Sequence, residues 1–149
     1  MPKEGDISFV LDLEACLYHS AAGGNLKANL FLRAQGERVV ISKEVFEQVR
    51  IFDKELADEI SASEIEVLEI DGNVYAAAVS LTDLILAQGH PMNAAANEKM
   101  PLIALVHCAQ NGTLPKCAMV SADTGTHASS MRSLCATIGI PFVDVAGGI

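Results

Sequence analysis

Four short apolar runs, Ser8-Phe9-Val10-Leu11-Asp12-Leu13, Arg38-Val39-Val40-Ile41, Cys117-Ala118-Met119-Val120-Ser121 and Pro141-Phe142-Val143-Asp144-Val145, are separated by segments long enough to hold helices. A continuous apolar run of this length reads as a strand covered on both faces. Strands spaced in this way need crossover connections, and such crossovers are right-handed, so the expected sheet is mainly parallel with helices on both sides. The expected fold class is α/β, a three-layer α/β/α sandwich. The 149 residues suit a single domain spanning 1–149, with no repeat or linker.

The segments between the runs carry their own signals. Glu14 to Ser20 reads as a helix, Ala21-Ala22-Gly23-Gly24-Asn25 as a break, and about Leu26 to Ala34 as a second helix. Ser42 is placed to N-cap a helix from Lys43 to Phe52, and Asp53 to Ser61 forms a short charged helix. Glu64 to Ile70 alternates polar with apolar, the pattern of a half-exposed edge strand. Apolar residues recur at helical spacing from Asn73 to Gln88, before Gly89-His90-Pro91. Met92 to Lys99 reads as a loop before Pro101, which suits the first turn of a helix reaching about Gln110 and ending at Asn111-Gly112-Thr113. Thr126 to Ile138 reads as the last helix, capped by Gly139.

A formal charge of −9 argues against a large nucleic-acid footprint, because phosphate binding draws on basic patches. It leaves room for a metal-dependent nuclease, whose clustered carboxylates add negative charge to the metal-free chain. Cys16, Cys108, Cys117 and Cys135 lie in apolar surroundings without a Cys-x-x-Cys pair, so they are expected to be reduced thiols rather than zinc ligands or disulfides. The apolar runs fall short of the ~20 residues of a membrane span. The charged start, Met1-Pro2-Lys3-Glu4-Gly5-Asp6, lacks a signal-peptide core, and a cytoplasmic location is expected.

In a parallel sheet every strand delivers its last residues to one edge, where ligands bind. Asp12 and Asp123 fall at that edge, joined by Glu44, Glu47 and Gln48 from the helix after the second strand and by Glu98 from the segment before Pro101. Carboxylates converging from several crossovers suit Mg²⁺ or Mn²⁺, which favour hard oxygen ligands and can activate water for phosphodiester hydrolysis. Each residue also has a plainer reading. Asp12 and Asp123 suit helix caps, and Glu44 and Glu47 suit first-turn acids facing a helix dipole. His107 lies in an apolar helix and is expected to be packed, whereas His127 suits an exposed helix start. Thr124, Thr126, Ser129 and Ser130 form a hydroxyl-rich helix start that suits a phosphate at a helix N-terminus, and plain capping explains Thr124 and Thr126 as well.

Four segments in this order, Phe9-Val10-Leu11-Asp12, Val40 to Gln48, Lys99-Met100-Pro101-Leu102-Ile103-Ala104 and Met119-Val120-Ser121-Ala122-Asp123, resemble the PIN-domain family over nearly the whole chain. That family includes the toxin nucleases of VapBC toxin–antitoxin pairs. The resemblance implies a PIN-like fold and a Mg²⁺- or Mn²⁺-dependent ribonuclease acting on RNA through an acidic tetrad. It also implies an antitoxin or other protein partner, and a homodimer. Asp12 and Asp123 match the first and last acids. The second falls at Gln48, with Glu47 one residue out, and the third at Met100, leaving Glu98 as the nearby acid. On this reading Asp12, Glu44 or Glu47, Glu98 and Asp123 carry catalysis, with Asp12, Glu98 and Asp123 as metal ligands. The competing class is a catalytically impaired PIN-like scaffold that binds a protein. A weaker likeness to haloacid dehalogenase-like phosphatases rests on Asp12, Ser42 and Asp123, with Glu14 where those enzymes need a second Asp and Lys116 as a loose match to their lysine.

Overall fold

The computed structural model describes residues 7–22, 24–89, 92–109 and 117–147. Within them the sheet has five strands, β1 (Phe9–Leu11), β2 (Val39–Ser42), β3 (Glu66–Leu68), β4 (Ala118–Ser121) and β5 (Phe142–Asp144). They lie in the order β3-β2-β1-β4-β5, and every pairing is parallel. Helices α1 (Leu13–Ala22) and α2 (Gly24–Gly36) link β1 to β2, and α3 (Lys43–Phe52) and α4 (Lys54–Ser61) link β2 to β3. Helices α5 (Gly72–Ala87) and α6 (Ala94–Ala109) carry the chain from β3 to β4, and α7 (Met131–Ile138) precedes β5. Strand order reverses between β1 and β4. With right-handed crossovers this sends α1 to α4 to one face and α5 to α7 to the other. The helix contacts divide in the same way, α1 with α2 and α3 on one side, and α5 with α6 and α7 on the other. This is the expected α/β/α sandwich.

The strand sequences fit their positions. Val10, Leu11, Val39, Val40, Ile41, Met119 and Val120 are fully buried, as the three inner strands require when both faces are covered. β3, at one edge, has its middle residue Val67 exposed. Helix starts follow capping chemistry: Ser42 Oγ accepts from Val45 N at 3.1 Å, Asp53 Oδ1 from Leu56 N at 3.1 Å, and Asp71 Oδ1 from Val74 N at 3.0 Å. α7 ends at Gly139, whose φ of 87° lies in the left-handed region that glycine enters without a Cβ penalty.

Three expectations need correction. Residues 94–100 are helical rather than a loop, so Pro101 lies inside α6. Asn93 sets the earlier start, its side chain accepting from Ala96 N at 2.8 Å and its carbonyl from Asn97 N at 3.0 Å. The last helix begins at Met131 rather than Thr126, because Ser130 caps it, accepting from Ser133 N at 3.1 Å while donating to Gly125 O at 2.8 Å. Residues 21–22 continue α1, and α2 already begins at Gly24. The expected helix end at 111–113, the N-terminal reading and Lys116 lie outside the described residues. No described helix is long and apolar enough to cross a membrane.

Ile103 is fully buried in the core, and Ile51 is 81% exposed at the end of α3. Ile103→Ala is expected to cost about 2–5 kcal/mol through lost burial and the cavity left behind. Ile51→Ala should stay within about 0.5 kcal/mol of wild type. Urea unfolding of the two variants measures the difference.

Candidate functional site

The reversal between β1 and β4 places their carboxyl ends at the switch point of the sheet, the position where such folds bind ligands. A cleft of roughly 420 Å³ opens there. Its polar wall comes from Asp12, Glu14, Ser42, Glu44, Gln48, Tyr75, Glu98 and Lys99. Its apolar wall includes Val45, Ile70, Leu102 and Met131.

Asp12 follows β1 and is buried. Its Oδ1 accepts from Ala15 N at 2.8 Å, capping the first turn of α1, and its Oδ2 accepts from the hydroxyl of Ser121 at the end of β4. Burial pushes its carboxyl up from 3.8 to about 6, against the opposing pull of the Ser121 and Ala15 hydrogen bonds. The same Ser121 oxygen accepts from Asp123 N at 2.9 Å, so one hydroxyl joins both acids. Asp123 Oδ2 accepts from Met131 N at 2.9 Å, at the start of α7, and receives Lys99 Nζ at 2.9 Å. Burial works to raise the Asp123 carboxyl, but the Lys99 and Met131 hydrogen bonds and the charges of Lys99 and His127 outweigh it. They hold the group below the ordinary carboxylate value.

The other candidates disperse. Glu44 lines the cleft and accepts a long hydrogen bond, 3.4 Å, from Tyr75 Oη. Glu47 instead pairs along α3 with Arg50 and is not among the cleft residues. Glu98 and Gln48 line the cleft from opposite sides of the sheet. Met100, at the position of the third expected acid, is packed in the core. His107 is exposed rather than packed, because position 107 of α6 faces outward, and His127 is exposed as expected. Ser130 is a helix cap, while Ser129 accepts from Asn93 Nδ2 at 2.8 Å and gives its carbonyl to Lys99. The cysteines are free, with Cys16, Cys117 and Cys135 buried and Cys108 half-buried.

Among the described residues, no three His, Cys, Asp or Glu side chains gather closely enough to share a metal ion. Of the four acidic places that the resemblance implies, only the first and last hold an acid, Asp12 and Asp123; Asp12 is engaged by Ala15 N and Ser121, and Asp123 by Met131 N and the ammonium of Lys99. An amide stands at Gln48 and a buried thioether at Met100, a soft donor that Mg²⁺ does not favour. The residues present do not fit a resident divalent cation.

Sequence reasoning missed two contributors. Ser121 was read only as the end of a strand, although a hydroxyl closing a buried strand beside an Asp two residues on was available as a signal. Lys99 opens the matched segment Lys99 to Ala104, but its charge was given no role at the site.

The pH dependence follows from Asp12. A rise from 3.8 to about 6 corresponds to about 3 kcal/mol at about 1.4 kcal/mol per pH unit. Because the folded value is raised, this cost is present in full above about 6, declines as pH falls towards 3.8, and is absent below it. Asp12→Asn should therefore be more stable than wild type at neutral pH, by no more than that amount, with a correspondingly higher Tm, and the advantage should fade through the same window. Asp123 acts oppositely, its contribution being lost as pH falls below the ordinary carboxylate range. Melting curves across the window test this; an advantage that does not change with pH would assign the titration elsewhere.

No protein-family model matches the sequence, and no curated protein does. Solved structures do match in fold. VapBC2 from Rickettsia felis bound to a DNA fragment from its promoter aligns with a TM-score of 0.61 at 14% identity, over 91% of this chain and 97% of that one. DNA-bound VapBC from Salmonella typhimurium aligns at 0.60 and 15% identity, over 93% and 98%. VapBC-1 from nontypeable Haemophilus influenzae aligns at 0.59 and 13%, over 93% and 98%. The chain thus has the PIN-like fold found in VapBC assemblies.

Proposed function

We propose that the chain is a PIN-like module of a toxin–antitoxin type pair that works by binding a protein partner, and that its acidic edge no longer supports metal-assisted hydrolysis. The observation that carries this reading is the pairing of Lys99 with Asp123 at 2.9 Å, beside a Met100 buried where a third acid would be needed. Partner binding is supported by three similar structures, each a VapBC assembly. It is also supported by apolar side chains left outside the core. Ile51 and Phe52 end α3 at 81% and 66% exposure, and Tyr75, Val79 and Leu86 lie exposed along one face of α5. The stripe on α5 is also where we place homodimer formation, which mass measurement in solution tests. The setting proposed for this module is the cytoplasm.

A second reading keeps the metal-dependent ribonuclease. Its support is that Asp12, Glu14, Glu44 and Glu98 line one cleft. In that case Mg²⁺ or Mn²⁺ would be held by Asp12, Glu98 and Asp123, and RNA would be the substrate.

One titration separates the two. Calorimetry of wild type with millimolar Mn²⁺ is expected to give no binding heat, and Mn²⁺ is expected to induce no RNA cleavage. Binding that vanishes in Asp12→Ala/Asp123→Ala, accompanied by cleavage, would replace the first reading with the second.

A further inference from the structure

We infer that Lys99 is a built-in counter-cation: its ammonium neutralises the carboxylate edge in place of a divalent ion and holds that edge together without metal. The inference rests on the reading above that the edge does not take up a divalent cation.

The ligands of Lys99 are of the kind a hard cation takes. Its Nζ meets a carboxylate oxygen, Asp123 Oδ2 at 2.9 Å, and a backbone carbonyl, Ser129 O at 2.6 Å. Both come from the stretch between β4 and α7, while Lys99 itself comes from α6. One charge therefore ties α6 to two points of that stretch, as a bound ion would. The pair is also sheltered: side-chain exposure is 22% for Lys99 and 20% for Asp123, against 54% and 42% for the surface pair Arg50 and Glu47. Shelter reduces screening and gives such a pair more weight than a surface one. The carboxylate that Lys99 holds also receives the first N–H of α7. Removing the ammonium would leave a poorly solvated carboxylate beside Asp12, which already feels the charge of Asp123.

Lys99→Met keeps the apolar stem and removes the charge. Thermal melting of wild type should be the same in chelator and in millimolar Mn²⁺. Lys99→Met should melt lower in chelator by roughly 2–4 °C and recover when millimolar Mn²⁺ is added, the ion now entering the position that the ammonium left. In an Asp123→Asn background the same substitution should cost little. If Lys99→Met is unfolded in chelator, refolding on addition of Mn²⁺ supports the inference, and remaining unfolded overturns it. An unchanged Tm, or a loss that Mn²⁺ does not restore, also overturns it while leaving the binding-module reading in place. Stabilisation of wild type by Mn²⁺ would instead overturn that reading itself.

Discussion

The hydroxyl of Ser121 joins the two central strands at the edge where the molecule presents its cleft. It donates to Asp12 at the end of β1 and accepts from the backbone of Asp123 beyond β4. The ladder between these strands, with Leu11 opposite Val120, brings the three residues together, and the order reversal at this point opens the space above them. The cap on α1 and the start of α7 both depend on this cluster, through Ala15 N on Asp12 and Met131 N on Asp123. A buried hydroxyl with both its donor and acceptor roles filled is worth more to the fold than its size suggests, since unpairing any member strands the others.

This arrangement changes how the acids are to be understood. In an open metal site, carboxylate oxygens face a shared ion. Here both oxygens of Asp12 and one oxygen of Asp123 are turned onto backbone N–H groups, a hydroxyl and an ammonium. The fold is similar to that of the VapBC structures, and in this chain the strand order brings the ends of β1 and β4 to one edge. The likeness is one of fold, and fold alone does not carry function.

Sequence legibility followed the range of the forces involved. Inner strands were readable because burial on both faces demands unbroken apolar runs, and α3 was placed correctly because its Ser42 cap and its periodicity are local. The starts of α6 and α7 were misplaced where Pro101 suggested a first turn and Thr126 a cap, while the deciding bonds were made by Asn93 and Ser130. At the site, Asp12 and Asp123 were found from strand ends. Their bridge through Ser121 spans 109 positions, and the hold of Lys99 on Ser129 spans 30; no local pattern encodes either. Glu47 was misleading because an Arg three residues on, at helical spacing, offers it a nearer partner than the cleft does.

Both outer strands, β3 and β5, have only three residues. At β3 the ion pair of Arg38 with Glu66 at 2.7 Å occupies the side-chain space near the rim. An extended segment adding itself to either rim would find few free backbone groups, so its hydrogen-bond gain would be small. Recruitment by strand addition is thus disfavoured at both ends of the sheet, as is stacking of one copy's rim onto another's. Whatever docks on this domain is directed to its helical surfaces, where recognition depends on the shape and charge of side chains rather than on backbone pairing.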